Sequence, residues 1–248
     1  MGRKNYSAYD LYLDLLAVGP RRRALDRLGV DFVDGLVRFI ARHWLALANL
    51  GLFAFMIPPL LAPFLMAAGY EAPARLIYLA YRAACHQLPS RSYFLFGPRP
   101  VYSAEELRPF LNPTDPAAFL GSPELGFKVA FCERDVAIYG LMLVAGLAYG
   151  LFRGQIRALD WRVFLVLILP LALDGTTQLL GLRESDWLLR TVTGGLFGVG
   201  WVWLAYPRVD RAMAAVLSPM SAASSPEPDG VGRGKVESPG PLTPGRPD

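Results

Sequence analysis

Two cysteines and two histidines in 248 residues exclude two broad classes at once. A disulfide-dense scaffold needs many more thiols, and a zinc-finger framework needs repeated Cys and His pairs. No C-x-x-C pair occurs, so a thioredoxin-type redox motif has no support. Internal repeats are also missing, which argues against a solenoid. Charged residues, 19% of the chain, are nearly absent from several long stretches. Such stretches are not how a soluble surface is built. The N-terminus carries no short apolar core with a small-residue cleavage site, so a cleaved secretory signal is not expected and insertion should rely on the first spanning segment.

What the chain does have is apolar blocks. Hydrophobic residues reach 53%, and they collect in runs rather than in amphipathic stripes. The net charge of +4 might point to nucleic acid, but the arginines sit beside the apolar runs, as in membrane proteins, so no nucleic-acid partner is expected. The expected fold is all-α: an integral membrane bundle of about four transmembrane helices, with an amphipathic N-terminal helix, an extracytoplasmic loop and a disordered C-terminal tail.

The boundaries follow from composition. Residues 1–43 form a cytoplasmic or interfacial segment in which Phe32, Val33, Leu36, Phe39 and Ile40 recur at helical spacing, predicting a helix along the inner headgroups. The membrane domain covers 44–206, with spans at about 44–68, 136–152, 163–182 and 188–206, long enough for a bilayer core. Pro58, Pro59 and Pro63 are expected to kink or unwind the first span. The connection 70–135 contains a short interfacial stretch near residues 76–81. It then turns loop-like, with many prolines and a capping sequence at Ser103 to Glu106. Residues 207–248 form a tail, rich in Pro, Ser and Gly and expected to be disordered from about 218.

Arginine placement orients the bundle. Arg21, Arg22, Arg23, Arg27, Arg38 and Arg42 precede the first span, and Arg153, Arg157 and Arg162 follow the second. Both groups belong in the cytoplasm by the positive-inside rule. This predicts a multi-pass cell-membrane protein with both termini cytoplasmic.

Polar residues then converge at the outer face. Asp174, Thr177 and Gln178 lie on one face of the third span, and a carboxylate there must face the bundle or a wet cavity. Arg190 enters the last span from the same side, ahead of Thr193 and Gly194. It is the expected ion-pair partner of Asp174. Gly194-x-x-x-Gly198 and Gly146-x-x-x-Gly150 offer close-approach surfaces for neighbouring helices. The ends of the connection bring Cys85, His86 and Gln87 towards Cys132, Arg134 and Asp135. Three readings stand for the thiols, the last a redox-active dithiol with no C-x-x-C motif behind it. A Cys85–Cys132 disulfide would close a loop worth about 4 kcal/mol in the chain-entropy model. A divalent metal such as zinc could instead use Cys85, His86, Cys132 and Asp135, although adjacent Cys85 and His86 on a helix diverge by about 100°.

The ordered stretches Cys85-His-Gln-Leu-Pro-Ser-Arg-Ser92, Cys132-Glu-Arg-Asp-Val-Ala-Ile-Tyr-Gly140, Asp174-Gly-Thr-Thr-Gln178 and Arg190-Thr-Val-Thr-Gly194 together resemble domain of unknown function 2085, a family of prokaryotic membrane proteins. The resemblance covers roughly residues 76–206. It implies a multispan membrane protein whose polar signature residues act together, and no activity. The segment 98–128 is long for the family, which suggests an added extracytoplasmic element.

Four functions compete on this reading, one of them a purely structural or scaffold role with the Pro-rich tail as docking segment. The leading one is an extracytoplasmic site, in contact with the lipid bilayer, that binds a metal ion or an anionic lipid headgroup. Its ligand-binding residues are Arg91, Arg134, Asp174, Gln178 and Arg190, since guanidinium groups suit phosphate. The second is a membrane enzyme acting on a lipid-linked substrate with His86 or Asp174 as base. The third is a small transporter using Asp174, which with four spans and no repeat would need a homo-oligomer.

Overall fold

The computed structural model describes residues 20–222; of the expected tail, 207–222 continue the last helix instead of leaving it at 206, and the remainder lies outside the described residues. Helix α1 (Pro20–Ala67) is one rod of 48 residues, about 72 Å at 1.5 Å per residue. A short helix α2 (Glu71–Tyr81) follows, then a compact connection. Helices α4 (Glu133–Leu151), α5 (Trp161–Leu179) and α6 (Trp187–Ala222) complete the chain. Four helices, α1, α4, α5 and α6, are long and apolar enough to cross a membrane. They leave Val144, Leu147, Val166, Leu169, Leu173 and Val199 exposed, as lipid-facing surfaces require.

The expected separate helix along the headgroups is not formed. No break occurs at Trp44, and α1 continues through it. The reason is packing, because Ala41 and Trp44 are already buried, so the rod joins the bundle before its charge-free portion begins.

The prolines do not unwind α1 either. A proline lacks an N–H, so the carbonyl four residues earlier loses its helical partner. Pro59 thereby frees the carbonyl of Phe55, which accepts from the Tyr81 hydroxyl at 2.9 Å. Pro63 frees the carbonyl of Pro59, which accepts from the Ala130 N–H at 3.1 Å. Both donors come from the connection. In α6, Pro207 similarly frees the carbonyl of Trp203, and the Leu159 N–H takes it at 3.2 Å.

The connection is a folded unit rather than a loop. Strands β1 (Phe94–Leu95), β2 (Gly121–Ser122) and β3 (Gly126–Lys128) form an antiparallel sheet in the order β1-β3-β2, with Phe94 opposite Lys128 and Gly121 opposite Phe127. Gly126 has φ +83, and a Cβ there would lie 2.4 Å from the Leu95 carbonyl oxygen, so the tight return requires glycine. Helix α3 (Ala104–Leu107) begins with a complete Ser103/Glu106 capping box. Phe94, Tyr102 and Leu107 form one small core, while Phe131, Val129 and Cys85 pack against Met56 of α1 in another. Short strands spaced by prolines carry little periodicity, which is why composition alone reads as loop.

Lys128 is fully buried in this unit. Its Nζ donates to the carbonyls of Gln87 at 2.7 Å and Ala117 at 2.8 Å. Burial, reinforced by Arg82, pushes its pKa down to about 7, and a neutral amine has two N–H bonds for those two carbonyls. In the unfolded chain this lysine regains a pKa near 10.4. Between the two values the unfolded state binds the extra proton, so stability rises with pH from about 7 towards 10 and is lost as pH falls towards 7. The pH slope of unfolding over this interval should be shallower in Lys128→Met than in the wild type; equal slopes would rule out this protonation linkage.

Within the bundle α6 is the hub, packing on α1, α4 and α5. Gly194 and Gly198 face α4, where a Cβ at Gly198 would sit 2.4 Å from the Ile138 carbonyl oxygen and one at Gly194 would sit 2.9 Å from that of Arg134. Gly146 of α4 faces Asn49 of α1 instead. At the bundle end away from the connection, Trp44, Tyr149 and Tyr206 cluster, and Asp210 accepts from Trp44 Nε1 at 3.1 Å, Tyr149 Oη at 3.3 Å and Arg153 Nε at 2.9 Å. Gly198→Val should destabilise the detergent-solubilised protein by about 1–3 kcal/mol through overpacking, seen as a lower thermal midpoint. Gly140→Ala, whose added carbon meets only Met56 Cε at 3.8 Å, should leave the midpoint equal or higher, since alanine is the better helix former.

Candidate functional site

The close α4–α6 seam brings the first turn of α4 beside the first turn of α6 and the last turns of α5. Cys132 caps the N-terminus of α4, its sulfur accepting from the Asp135 N–H at 3.4 Å. Glu133, Arg134 and Asp135 follow in the same turn and diverge to three neighbours. From the other side, Gln87 adopts φ 52, a conformation uncommon for a side-chain-bearing residue. It is held there by its own Nε2 donating to the Tyr78 carbonyl at 2.8 Å and by Lys128 on its carbonyl. This turn directs Cys85 and Arg91 towards the α4 terminus.

The result is a cavity of about 400 Å³ lined by Cys85, His86, Arg91, Cys132, Arg134, Asp135, Gln178 and Arg190. Asp174 does not line it but lies directly behind. A second hollow of about 440 Å³ shares Arg91 and Arg190 as its wall and opens towards Ser103, Glu106 and Asp186.

Asp174 and Arg190 do not pair. Asp174, buried in α5, takes Arg134 and Arg183, each at 2.5 Å, and accepts from Ser185 Oγ at 2.9 Å. Arg190 pairs with Glu133 at 3.0 Å. The partners are exchanged because the helix seam sets Glu133 against α6 and Arg134 against α5, so each buried charge meets an opposite one on α4 first. Three residues of this network, Glu133, Arg183 and Ser185, were not among the sequence candidates. Glu133 stands in the signature run Cys132 to Asp135 and was findable there; Arg183 and Ser185 lie in a turn whose course no periodicity reveals.

Gln178 reads the arginines. Its surroundings are guanidinium donors, which places the amide oxygen towards them. In that orientation it accepts from Arg190 Nη2 at 3.0 Å and Arg91 Nη2 at 3.2 Å. Arg91 has no carboxylate within 4 Å among the described residues, and burial together with the nearby Arg190 cation holds its pKa below the ordinary arginine value. Thr177 turns back onto its own helix, bonding the Leu173 carbonyl at 2.8 Å. Ser92 does the same to Leu88 at 3.0 Å.

In this structure the two sulfurs are not bonded to each other. Cys85 Sγ accepts from the Cys132 N–H at 3.3 Å, and Cys132 Sγ–H donates to Asp135 Oδ2 at 3.1 Å. The neighbouring Cys132 side chain lowers the pKa of Cys85, while the same contact, together with burial, raises that of Cys132, which keeps its proton. The sulfurs and a carboxylate oxygen of Asp135 all lie within 4.8 Å of one another. His86 borders the cavity but is exposed and stands outside this three-donor group.

A family model described as a predicted membrane protein, domain of unknown function 2085, matches residues 124–204. An uncharacterized protein of Methanocaldococcus jannaschii is 33% identical over 138 residues, covering 53% of this chain and 67% of the relative. The chain belongs to this family. The matched region holds Cys132 to Asp135, Asp174, Gln178 and Arg190, while Cys85 and Arg91 precede it. No solved structure matches.

Removing the carboxylate behind the cavity strands two guanidinium groups. Asp174→Ala should therefore destabilise the protein by about 3–5 kcal/mol, read as a depressed thermal midpoint in detergent. A midpoint equal to wild type would show that Asp174 does not hold Arg134 and Arg183 in place.

Proposed function

We propose that this is a multi-pass cell-membrane protein that binds a phosphate-type monoanion in the arginine-lined cavity, with the connection facing outward and both termini in the cytoplasm. The observation that carries the ligand class is the charge balance. The cavity and its direct ion contacts contain Arg91, Arg134, Arg183 and Arg190 against Asp135, Asp174 and Glu133. Among these groups one positive charge is left over, on Arg91, with the Glu184 carboxylate of the adjoining hollow beyond ion-pair distance. Two guanidinium groups already converge on one amide oxygen of Gln178, the kind of convergence a phosphodiester oxygen requires. The position at a bundle end, beside lipid-exposed Leu179, favours a lipid headgroup over a soluble anion.

The orientation draws support from how the arginines are treated at the two ends. On the connection side Arg75, Arg82, Arg99, Arg134, Arg183 and Arg190 sit within 4 Å of a carboxylate, with Arg91 and Arg108 the exceptions among the described residues. At the other end Arg153 pairs with Asp210, but Arg208 and Arg211 reach only backbone carbonyls, and an excess of uncompensated arginine belongs on the cytoplasmic side. The transporter reading asks Asp174 to hold the transported ion, but its oxygens are already taken by Arg134, Arg183 and Ser185.

Native mass spectrometry of the protein in micelles doped with phosphatidylglycerol and phosphatidylcholine tests the binding. The wild type should retain one phosphatidylglycerol preferentially, and Arg91→Ala should reduce that retention at least about tenfold, the worth of one charge-assisted hydrogen bond. Inorganic phosphate that displaces the lipid at low concentration would identify a soluble anion as the ligand instead. A lipid preference unaltered by Arg91→Ala would exclude the cavity.

A further inference from the structure

The geometry points to a second, metal-binding function in the wall of the same cavity: Cys85, Cys132 and Asp135 form a three-donor site for a thiophilic divalent ion of the zinc class. Two thiolates and a carboxylate are a donor set that selects zinc over magnesium or calcium, which prefer oxygen alone. The three donor atoms lie within 4.8 Å of one another; ligands at about 2.3 Å round a tetrahedral ion stand about 3.8 Å apart, so side-chain movements of up to about 1 Å bring them onto one ion. They arise from two separate pieces of chain joined by the fold, not from one flexible loop.

Independent features of the surroundings suit a metal. Each sulfur receives a backbone N–H, from Cys132 to Cys85 at 3.3 Å and from Asp135 to Cys132 at 3.4 Å, so the supporting hydrogen bonds that orient ligating groups are already in place. The remaining Cys132 proton is directed at Asp135 Oδ2, so the sulfur and oxygen that share that proton are the pair an incoming ion would bridge. Charge also closes. A divalent ion that replaces the two thiol protons leaves the net charge of the cavity unchanged, so the ion and the anion proposed above can be bound together. Three protein ligands leave the fourth tetrahedral position open to the cavity, where Arg91 and Arg134 stand, and a water or an oxygen of the bound anion completes the shell. His86 is not a ligand.

Only the contact at the open position rests on the anion reading; the metal site stands without it. The test uses the full chain in detergent under reductant, titrated with Co(II) alone and then with Zn(II) as competitor. Co(II) should give a thiolate charge-transfer band and the visible transitions of a tetrahedral ion at one equivalent per chain, and Zn(II) should abolish both. Cys85→Ser and Cys132→Ser should each remove the band, Asp135→Asn should weaken binding about tenfold or more, and His86→Ala should change nothing. Arg91→Ala should keep the Co(II) spectrum while losing the anionic lipid, which separates failure of the metal site from failure of the anion site. A wild-type protein that keeps its fold by thermal melting yet gives no such spectrum under reductant would overturn the proposal. So would a spectrum unaltered in the double Cys85→Ser/Cys132→Ser variant, or two thiols blocked as a disulfide that on release bind no metal.

Discussion

The approach of α4 to α6 at backbone distance is the constraint from which the site follows. Without side chains at Gly194 and Gly198, the carbonyls of Arg134 and Ile138 come where a Cβ would otherwise stand. In a bilayer, where apolar burial offers helices little advantage over lipid, such close packing is a main source of association. Its consequence is rotational as well as translational. Fixing α4 against α6 directs Glu133 to Arg190 and Arg134 to Asp174, and the two ion pairs then hold α5 and the last turn of the connection in register. A wider helix seam would leave four charged groups in apolar surroundings without partners, which is far more costly than the pairing itself gains.

A second device attaches the extramembrane unit to the bundle. Backbone polar groups cannot be left unsatisfied in hydrocarbon, and a proline inside a spanning helix creates one such group. Here those groups serve as docking points. The acceptors freed by Pro59 and Pro63 are taken by Tyr81 and Ala130 of the connection, and the one freed by Pro207 is taken by Leu159 at the end of the loop before α5. Helix continuity through the prolines and attachment of the connection are therefore one arrangement. The same attachment sets the position of Val129 to Cys132, and with it the entry of α4 and the Cys85–Cys132–Asp135 corner of the cavity.

That these polar residues gather at one end of the bundle was legible from residue type. Buried carboxylates, paired arginines, cysteines and an amide near one end of apolar spans are expensive there, and expensive residues tend to be gathered. Eight of the residues singled out from sequence line one cavity, with Asp174 immediately behind it. Pairing was not legible. Spacing along α5 and α6 suggests Asp174 with Arg190, but which charge meets which depends on helix rotation to within a fraction of a turn, and Glu133 and Arg134 occupy the intervening positions on α4. Arg183 and Ser185 reach Asp174 only because the turn after α5, passing through Gly181 with φ +68, folds back over the helix end.

By itself the sequence determined the all-α membrane class, the presence of four long apolar helices and the polar character of one end, because these depend on composition, run length and the cost of charge in lipid. Tertiary structure decided what those elements do to one another. It made the proline-rich connection a small sheet-and-helix unit, since strands of two or three residues are specified by their partners rather than by periodicity. It joined the N-terminal amphipathic stretch to the first span as one rod, since the packing of Ala41 and Trp44 starts before the apolar run does. It also exchanged the ion-pair partners and kept the two thiols apart but within reach of Asp135, because residues distant in sequence acquire distances only when the helix seam and the docked connection fix them.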